Sequence, residues 1–446
     1  MSTAEKSTGH LRGYPDSYYS RTACLDQSPW EQLRTSTPLH ADLCIVGGGM
    51  AGLNAAQEAL DRGKTVVLLE QNHIGWGASG RNGGLVSSFW SEGQDGLIAK
   101  VGRDNAKTLF DISSEGVEIV RERIQRHSMT SVNAVSGKFG VQRHPGCEGL
   151  KRKAEQSERE YGYALEFMDR PALQEHLATD IYHGGLHDPQ AFHFHPLNYC
   201  LELGKALTAQ GARLFEQSEM TGLERLTTDE WSVKTEKGEV RAQKVMLCGG
   251  GYGKKMDRRI GRAFLSIATY IILTEPLGDR LKSVIKTDAA VVDNRRSSDY
   301  YRIVDGDRLL WGGRISTRNI ENVKRLSALL NSDVLQVYPQ LDPLPIATAW
   351  SGLMGYAKHK MPHILELEPG LWTCMSYGGH GVNTTAAGAR VTVEALWGDS
   401  DRYRLFSPFG LDWNGGFVGP IAAETVYLWL RLQDYWAERI KSKFRG

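Results

Sequence analysis

The chain has 446 residues, with 53 Lys+Arg against 52 Asp+Glu and a formal net charge of +1. Hydrophobic residues make up 41% and charged residues 24%, and 11 Trp, 17 Tyr and 12 Phe supply the apolar bulk that a disordered chain lacks. Balanced charge argues against a nucleic-acid partner, and six scattered cysteines without a C-x-x-C pair argue against a disulfide framework. At roughly 150 residues per domain, the length predicts two or three domains.

Residues 1–40 read as an irregular lead-in with no continuous apolar run, so no secretory signal is expected. Segment 43–57 is too short and glycine-rich to span a bilayer, and 371–389 too rich in Gly, Asn and Thr. The expectation is a cytoplasmic chain without an integral membrane segment. Leu43-Cys44-Ile45-Val46 has the uninterrupted apolar character of a buried parallel strand. Leu53, Ala56, Ala59 and Leu60 then recur at helical spacing, Gly63 supplies the stop, and Val66-Val67-Leu68-Leu69 predicts the second strand of a βαβ unit. Residues 101–180 read as mostly helical, and 152–160 as a solvated, charged helix face. Pro196 opens a helix that Gly211 ends. Short strands are expected at 213–216, 231–235, 239–242 and 245–248. From 263 to 315 the pattern alternates in the strand manner. An Ala-rich helix is expected over 382–397 and a final helix over 422–439. No repeat or low-complexity linker separates these parts, so the domains are expected to be interleaved.

The chemistry begins after the first strand, at Gly47-x-Gly49-x-x-Gly52. Gly47 permits a tight turn, Gly49 lets the backbone approach a pyrophosphate, and Gly52 lets the helix pack on the strand. Met50 and Ala51 lie within this motif, where the helix N-terminus turns N–H groups toward an anion. Glu70, followed by Gln71, ends the second strand where ribose hydroxyls need an acceptor. This is a dinucleotide-binding signature. A polar, glycine-dense loop follows, with Ala78, Ser79, Gly80, Arg81, Asn82, Gly83 and Gly84. It can wrap a pyrophosphate and lay backbone N–H groups along a flavin ring, whereas a nicotinamide-dependent dehydrogenase would continue into another βα unit. Arg81 serves a phosphate or anchors a domain as readily as it contacts a flavin. Gly249 and Gly250 form a second cluster. Gly378, Gly379, His380 and Gly381 form a third at the mouth of the 382–397 helix. No metal site is expected, because His193 and His195 lack a third ligand.

These segments, with Ser17-Tyr18-Tyr19, His195-Pro196-Leu197, Thr274-Glu275-Pro276-Leu277 and Tyr300-Tyr301-Arg302, span nearly the whole chain in order. On them the sequence resembles the FAD-dependent amine and amino-acid oxidoreductases related to D-amino-acid oxidase, glycine oxidase and sarcosine oxidase. The resemblance implies an α/β fold: a Rossmann-like FAD-binding domain with an inserted antiparallel-sheet substrate domain. The FAD-binding part is expected at 38–100, 186–258 and 345–400, the substrate part at 101–185 and 259–344, and a C-terminal extension at 401–446. It implies hydride transfer from the carbon beside an amine to FAD, with Tyr301, Arg302 and His380 as catalytic candidates. Gly379, Gly381, Val382 and Asn383 join the cofactor residues named above. Two positions depart from sarcosine-type relatives. Segment 351–357 has no thiol to tether the flavin, so FAD is expected to be non-covalent. Asn383 stands where some of them carry a carboxylate-binding lysine. The expected substrate is an amine of the γ-glutamylputrescine type. The alternative is a secondary or cyclic amino acid such as L-pipecolate or sarcosine, held by Arg302 or Arg314. Oxygen is the expected acceptor, although 308–314 lacks the lysine some relatives place near the flavin. A nicotinamide-dependent dehydrogenase and a flavin-binding protein without turnover are the rival classes.

Overall fold

The computed structural model describes residues 11–295 and 298–440; the outer ends of the lead-in and of the C-terminal extension, 1–10 and 441–446, lie outside the described residues. The two apolar runs are buried along their whole length. A strand without a polar face needs cover on both sides, and the centre of a parallel sheet gives it that. Strand Leu39–Val46 accordingly pairs in parallel with Val66–Leu69 on one side and Glu239–Leu247 on the other. Arg213–Phe215 and Leu371–Met375 extend the parallel set, and His363–Glu368 joins antiparallel at one edge. With the hairpin of Gly222–Thr227 and Glu230–Lys234, these make an 8-stranded sheet.

Helices Met50–Leu60, Arg103–Arg126 and Gly381–Trp397 pack together beside this sheet. Ala55, Ala56, Ala59, Ala386, Ala387 and Ala389 are all buried there, small side chains that let helix backbones approach closely. Glu58 joins the three helices by accepting from Arg123 at 2.5 Å and Arg390 at 3.1 Å.

The second sheet has nine strands and is antiparallel except where Ala290–Asp293 runs parallel to Val135–Val141. Helix Val323–Val337 packs Leu326, Leu330, Val334 and Val337 into the core of this sheet. Its N-cap, Asn322, accepts from the Arg325 N–H at 2.9 Å.

Sheet membership differs from the expected boundaries. Strand Ile346–Ala357, expected with the FAD-binding part, pairs along its length with Phe264–Thr274 in the second sheet. Leu85–Val86 and Gly184–His193 also belong there. Conversely, Arg103–Arg126, expected in the substrate part, packs on the cofactor-side helix Gly381–Trp397. Proximity in sequence to a glycine cluster does not choose a strand's partner; pairing and the apolar face do.

Among the described residues no helix is long and apolar enough to cross a membrane. Large exposed apolar side chains concentrate at the end of the chain, including Trp413, Phe417, Ile421, Leu428, Trp429 and Trp436.

Candidate active site

The first strand ends in a turn too tight for side chains. Gly47 has φ +119°, and a Cβ there would sit 2.6 Å from the Cys248 carbonyl oxygen. A Cβ on Gly52 would run into the Gly47 carbonyl, so the helix reaches the strand only because both positions are bare. Gly49 is the N-cap of Met50–Leu60, and a Cβ on it would stand 2.7 Å from Ser79 Oγ. The Met50 N–H donates to that hydroxyl at 2.9 Å, which ties the helix start to the glycine-dense loop.

Glu70 closes the turn from the opposite side. Its two carboxylate oxygens accept from the Gly48 N–H at 2.7 Å and the Asn72 N–H at 2.8 Å. Burial pushes its pKa above the usual carboxylate range, and the two backbone donors pull it back. Gly47, Gly49, Glu70, Gln71, Ser79, Gly249 and Gly250 line one cavity, with Trp76, Tyr252 and Lys255 completing its rim.

A second cavity, of about 480 Å³, meets the first at Ala78 and runs past Arg81, Asn82 and Gly83 to Gly379, His380, Gly381 and Val382. Phe89, Trp90, Tyr300, Met354 and Tyr356 make much of its wall apolar and aromatic. Asn82 holds the loop by donating to the Ala78 and Ser79 carbonyls at 3.0 and 2.8 Å and accepting from the Gly84 N–H at 2.7 Å. Arg81 lies 4.7 Å over the Trp76 ring. It donates to the Gly77 and Ser351 carbonyls at 3.2 and 3.1 Å and to Tyr252 Oη at 2.5 Å. Its guanidinium thus joins the loop to strand Ile346–Ala357, the anchoring alternative read from the sequence.

His380 is the N-cap residue of Gly381–Trp397. Its Nε2 lies 3.0 Å from the Ser87 carbonyl, so that nitrogen carries the proton, and burial holds the pKa down to about 4. The imidazole is neutral at physiological pH.

Several expected site residues stand elsewhere. Tyr301 points away from the cavity into the second-sheet core, stacked 4.4 Å from Trp311 with its hydroxyl 2.7 Å from Tyr338 Oη. Strand alternation brings its neighbour Tyr300 to the cavity instead. Arg302 is 5% exposed and fully engaged. It donates to the Gly83 and Phe194 carbonyls at 2.9 and 3.0 Å, to Tyr19 Oη at 3.2 Å and to His193 Nδ1 at 3.1 Å. It braces the glycine loop from behind and takes no place in the cavity wall. Arg314 makes a fork to Asp333 at 2.6 and 2.8 Å, also outside the wall. Asn383 turns into the helix packing, its amide donating to the Ser113 carbonyl at 2.9 Å. Met50, Ala51, Gly52, Gly80 and Gly84 pack behind the cavity surfaces rather than lining them. His195 caps Pro196–Ala209 through the Asn198 N–H at 3.0 Å, so both histidines of the 193–195 pair have structural partners.

Lys138 was not anticipated. It reaches the second cavity from strand Val135–Val141. Its signal was a single ammonium in an otherwise uncharged strand sequence, Val-Ser-Gly-Lys-Phe-Gly-Val.

Residues 42–395 match the family described as FAD dependent oxidoreductase. The chain belongs to that family. This FAD-dependent oxidoreductase is 35% identical over 405 residues to a probable oxidoreductase OrdL of Haemophilus influenzae, with 89% of this chain and 90% of that one covered. It is 33% identical over 398 residues to γ-glutamylputrescine oxidoreductase of Escherichia coli, covering 88% of this chain and 92% of that one. The fold is similar to a solved glycine oxidase from Geobacillus kaustophilus, with TM-score 0.70 and 16% identity over 84% of this chain and 99% of that one. The cofactor of the family is FAD, and the residues present fit it. Backbone is left bare at 47–49 and at 52, an acid with spare lone pairs stands at the second strand's end, and two cavities meet at one small residue, Ala78.

Proposed function

We propose that this oxidoreductase oxidises the C–N bond of a primary amine that carries an amino-acid group at its far end, of the γ-glutamylputrescine type. Gly49, Glu70, Gln71, Gly249 and Gly250 would hold the adenosine and pyrophosphate part of FAD. The loop from Ala78 to Gly83 and the residues Gly379, Gly381 and Val382 would hold the flavin part. When bound, FAD accepts the hydride from the carbon bearing the amine, and the resulting imine hydrolyses to an aldehyde.

The chain's own part is placement and exclusion of water. Phe89, Trp90, Met354 and Tyr356 supply a wall that gives water few partners. Neutral His380, tied to the Ser87 carbonyl, fixes the turn before Gly381 without adding charge beside the reacting amine.

One observation carries the choice of substrate. Arg302 and Arg314, the two arginines that could clamp a carboxylate next to the reacting carbon, are both engaged outside the cavity. A small amino acid such as sarcosine or L-pipecolate then lacks its fork. Similarity to the E. coli relative supports the same reading. The test is anaerobic flavin reduction by γ-glutamylputrescine, putrescine, L-pipecolate and sarcosine side by side. Fast bleaching by γ-glutamylputrescine is expected. Bleaching by sarcosine or L-pipecolate alone would overturn the proposal.

A further inference from the structure

We infer that Lys138 forms a separate carboxylate-binding subsite in the second cavity and holds the substrate's amino-acid end by its α-carboxylate. The inference rests on the substrate class proposed above and assigns the group that recognises it.

Lys138 has one long ion pair among the described residues. Its side chain is 16% exposed, and its Nζ makes an ion pair with the buried Asp188 at 3.6 Å from Oδ2, longer than a direct hydrogen bond. Asp188 has other donors besides. Tyr163 Oη shares its one proton between the two oxygens, at 2.8 and 2.9 Å, and the Gln190 and Ala191 N–H groups donate to Oδ1 at 3.2 and 3.1 Å. An ammonium has three N–H donors, and the one ion pair to Asp188 leaves capacity on a group that also lines the cavity. The Phe89 ring, 6.0 Å from Nζ, gives it an aromatic neighbour but no acceptor.

The other cation of the described wall is Arg81, and carbonyls, a tyrosine hydroxyl and a stacked ring occupy its guanidinium. Among the described residues of the wall, an anion entering this cavity therefore meets Lys138 as the cation with the longest and least complete pairing. Burial lowers the Lys138 pKa and Asp188 pulls it part of the way back; a bound carboxylate would offset the desolvation further. The bland alternative is a counter-ion for Asp188 with no part in binding.

Two readouts separate these. The first is steady-state kinetics of wild type and Lys138→Met on γ-glutamylputrescine and on N-acetylputrescine, which keeps the amine, the four-carbon chain and the amide but has no carboxylate. KM for γ-glutamylputrescine should rise about 10- to 100-fold with kcat little changed, while KM for N-acetylputrescine stays the same. The second uses glutarate, which has carboxylates and no amine. It should shift the flavin absorption spectrum of wild-type holoenzyme and of Lys138→Arg, but not of Lys138→Met. If Lys138→Met purifies poorly, Lys138→Gln replaces it in both measurements. Equal KM increases for the two amines, or equal glutarate binding by wild type and the charge-removed variant, would overturn the subsite. If γ-glutamylputrescine fails to reduce the wild-type flavin while glutarate binding still depends on Lys138, the substrate proposal falls and the subsite stands.

Discussion

Glu70 offers the sharpest test of the proposed cofactor cradle, because it combines a proposed task with an observed one. The sequence motif assigns it to the ribose hydroxyls, whereas the fold also has it hold the Gly48 and Asn72 N–H groups at 2.7 and 2.8 Å. A hydrogen bond to a charged acceptor contributes about 1.5–3 kcal/mol. Glu70→Gln keeps one oxygen as an acceptor and turns an NH2 toward the second N–H, so it loses one such bond, about 1.5–3 kcal/mol. Glu70→Ala loses both and leaves two donors to water that enters a partly buried site, for about 2–4 kcal/mol in all. Flavin-free protein should therefore unfold at lower urea concentration in the order wild type, Glu70→Gln, Glu70→Ala, followed by Trp fluorescence. FAD affinity, measured by quenching of flavin fluorescence, should fall about 10- to 100-fold in Glu70→Ala from the loss of the ribose acceptor. A flavin-free Glu70→Gln as stable as wild type would refute the bracing role. Unchanged FAD affinity in Glu70→Ala would refute the ribose role.

Other consequences can be checked with simple measurements. Acid precipitation should leave the yellow colour in the supernatant, since neither 351–357 nor the described wall of the second cavity holds a cysteine; colour in the pellet would show a covalent link. Gly49→Val should fold but purify colourless, because its Cβ would already stand 2.7 Å from Ser79 Oγ and its methyl groups would enter the cradle; full flavin content would contradict this. His195 is neutral in the fold, with a pKa held down to about 3 by burial and by Arg302. Its unfolded value is about 6.5, so the stability it contributes is complete above about pH 6.5 and is lost as pH falls toward 3. His195→Asn keeps an N-cap acceptor without the titration, and its Tm should fall less than that of wild type between about pH 7 and pH 4.5; identical slopes would exclude His195 as a source of acid sensitivity. Flavin reduction should accelerate with rising pH as the substrate ammonium loses its proton. His380 is already neutral above about pH 4, so His380→Asn should leave that rise in place, and its disappearance would assign the ionisation to His380.

The local half of this protein was open to reading from the sequence. Glycines at 47, 49 and 52 between two apolar runs, with an acid at the end of the second, specify a strand, a tight turn, a helix and an anion-facing N-terminus through backbone sterics within about thirty residues. That much requires no distant partner, and strand, turn, helix and second strand stand where the motif puts them. Alternation along Tyr300-Tyr301-Arg302 likewise shows that Tyr301 faces opposite its neighbours. It does not say which face meets the cavity, and tertiary packing gave that side to Tyr300 while Trp311 and Tyr338 took Tyr301 into the core. The fate of each charged or polar group was decided in the same way. Arg302 is engaged by carbonyls at positions 83 and 194, Asn383 by one at 113, and Arg81 by one at 351. Lys138 stands out because it lines the cavity while its ion pair to Asp188 is long and that acid also accepts from Tyr163 and two backbone N–H groups. Backbone geometry is set by neighbours in sequence, whereas the partners of an ionised side chain are donors and acceptors brought from far along the chain, so only the folded chain shows how each charge is engaged.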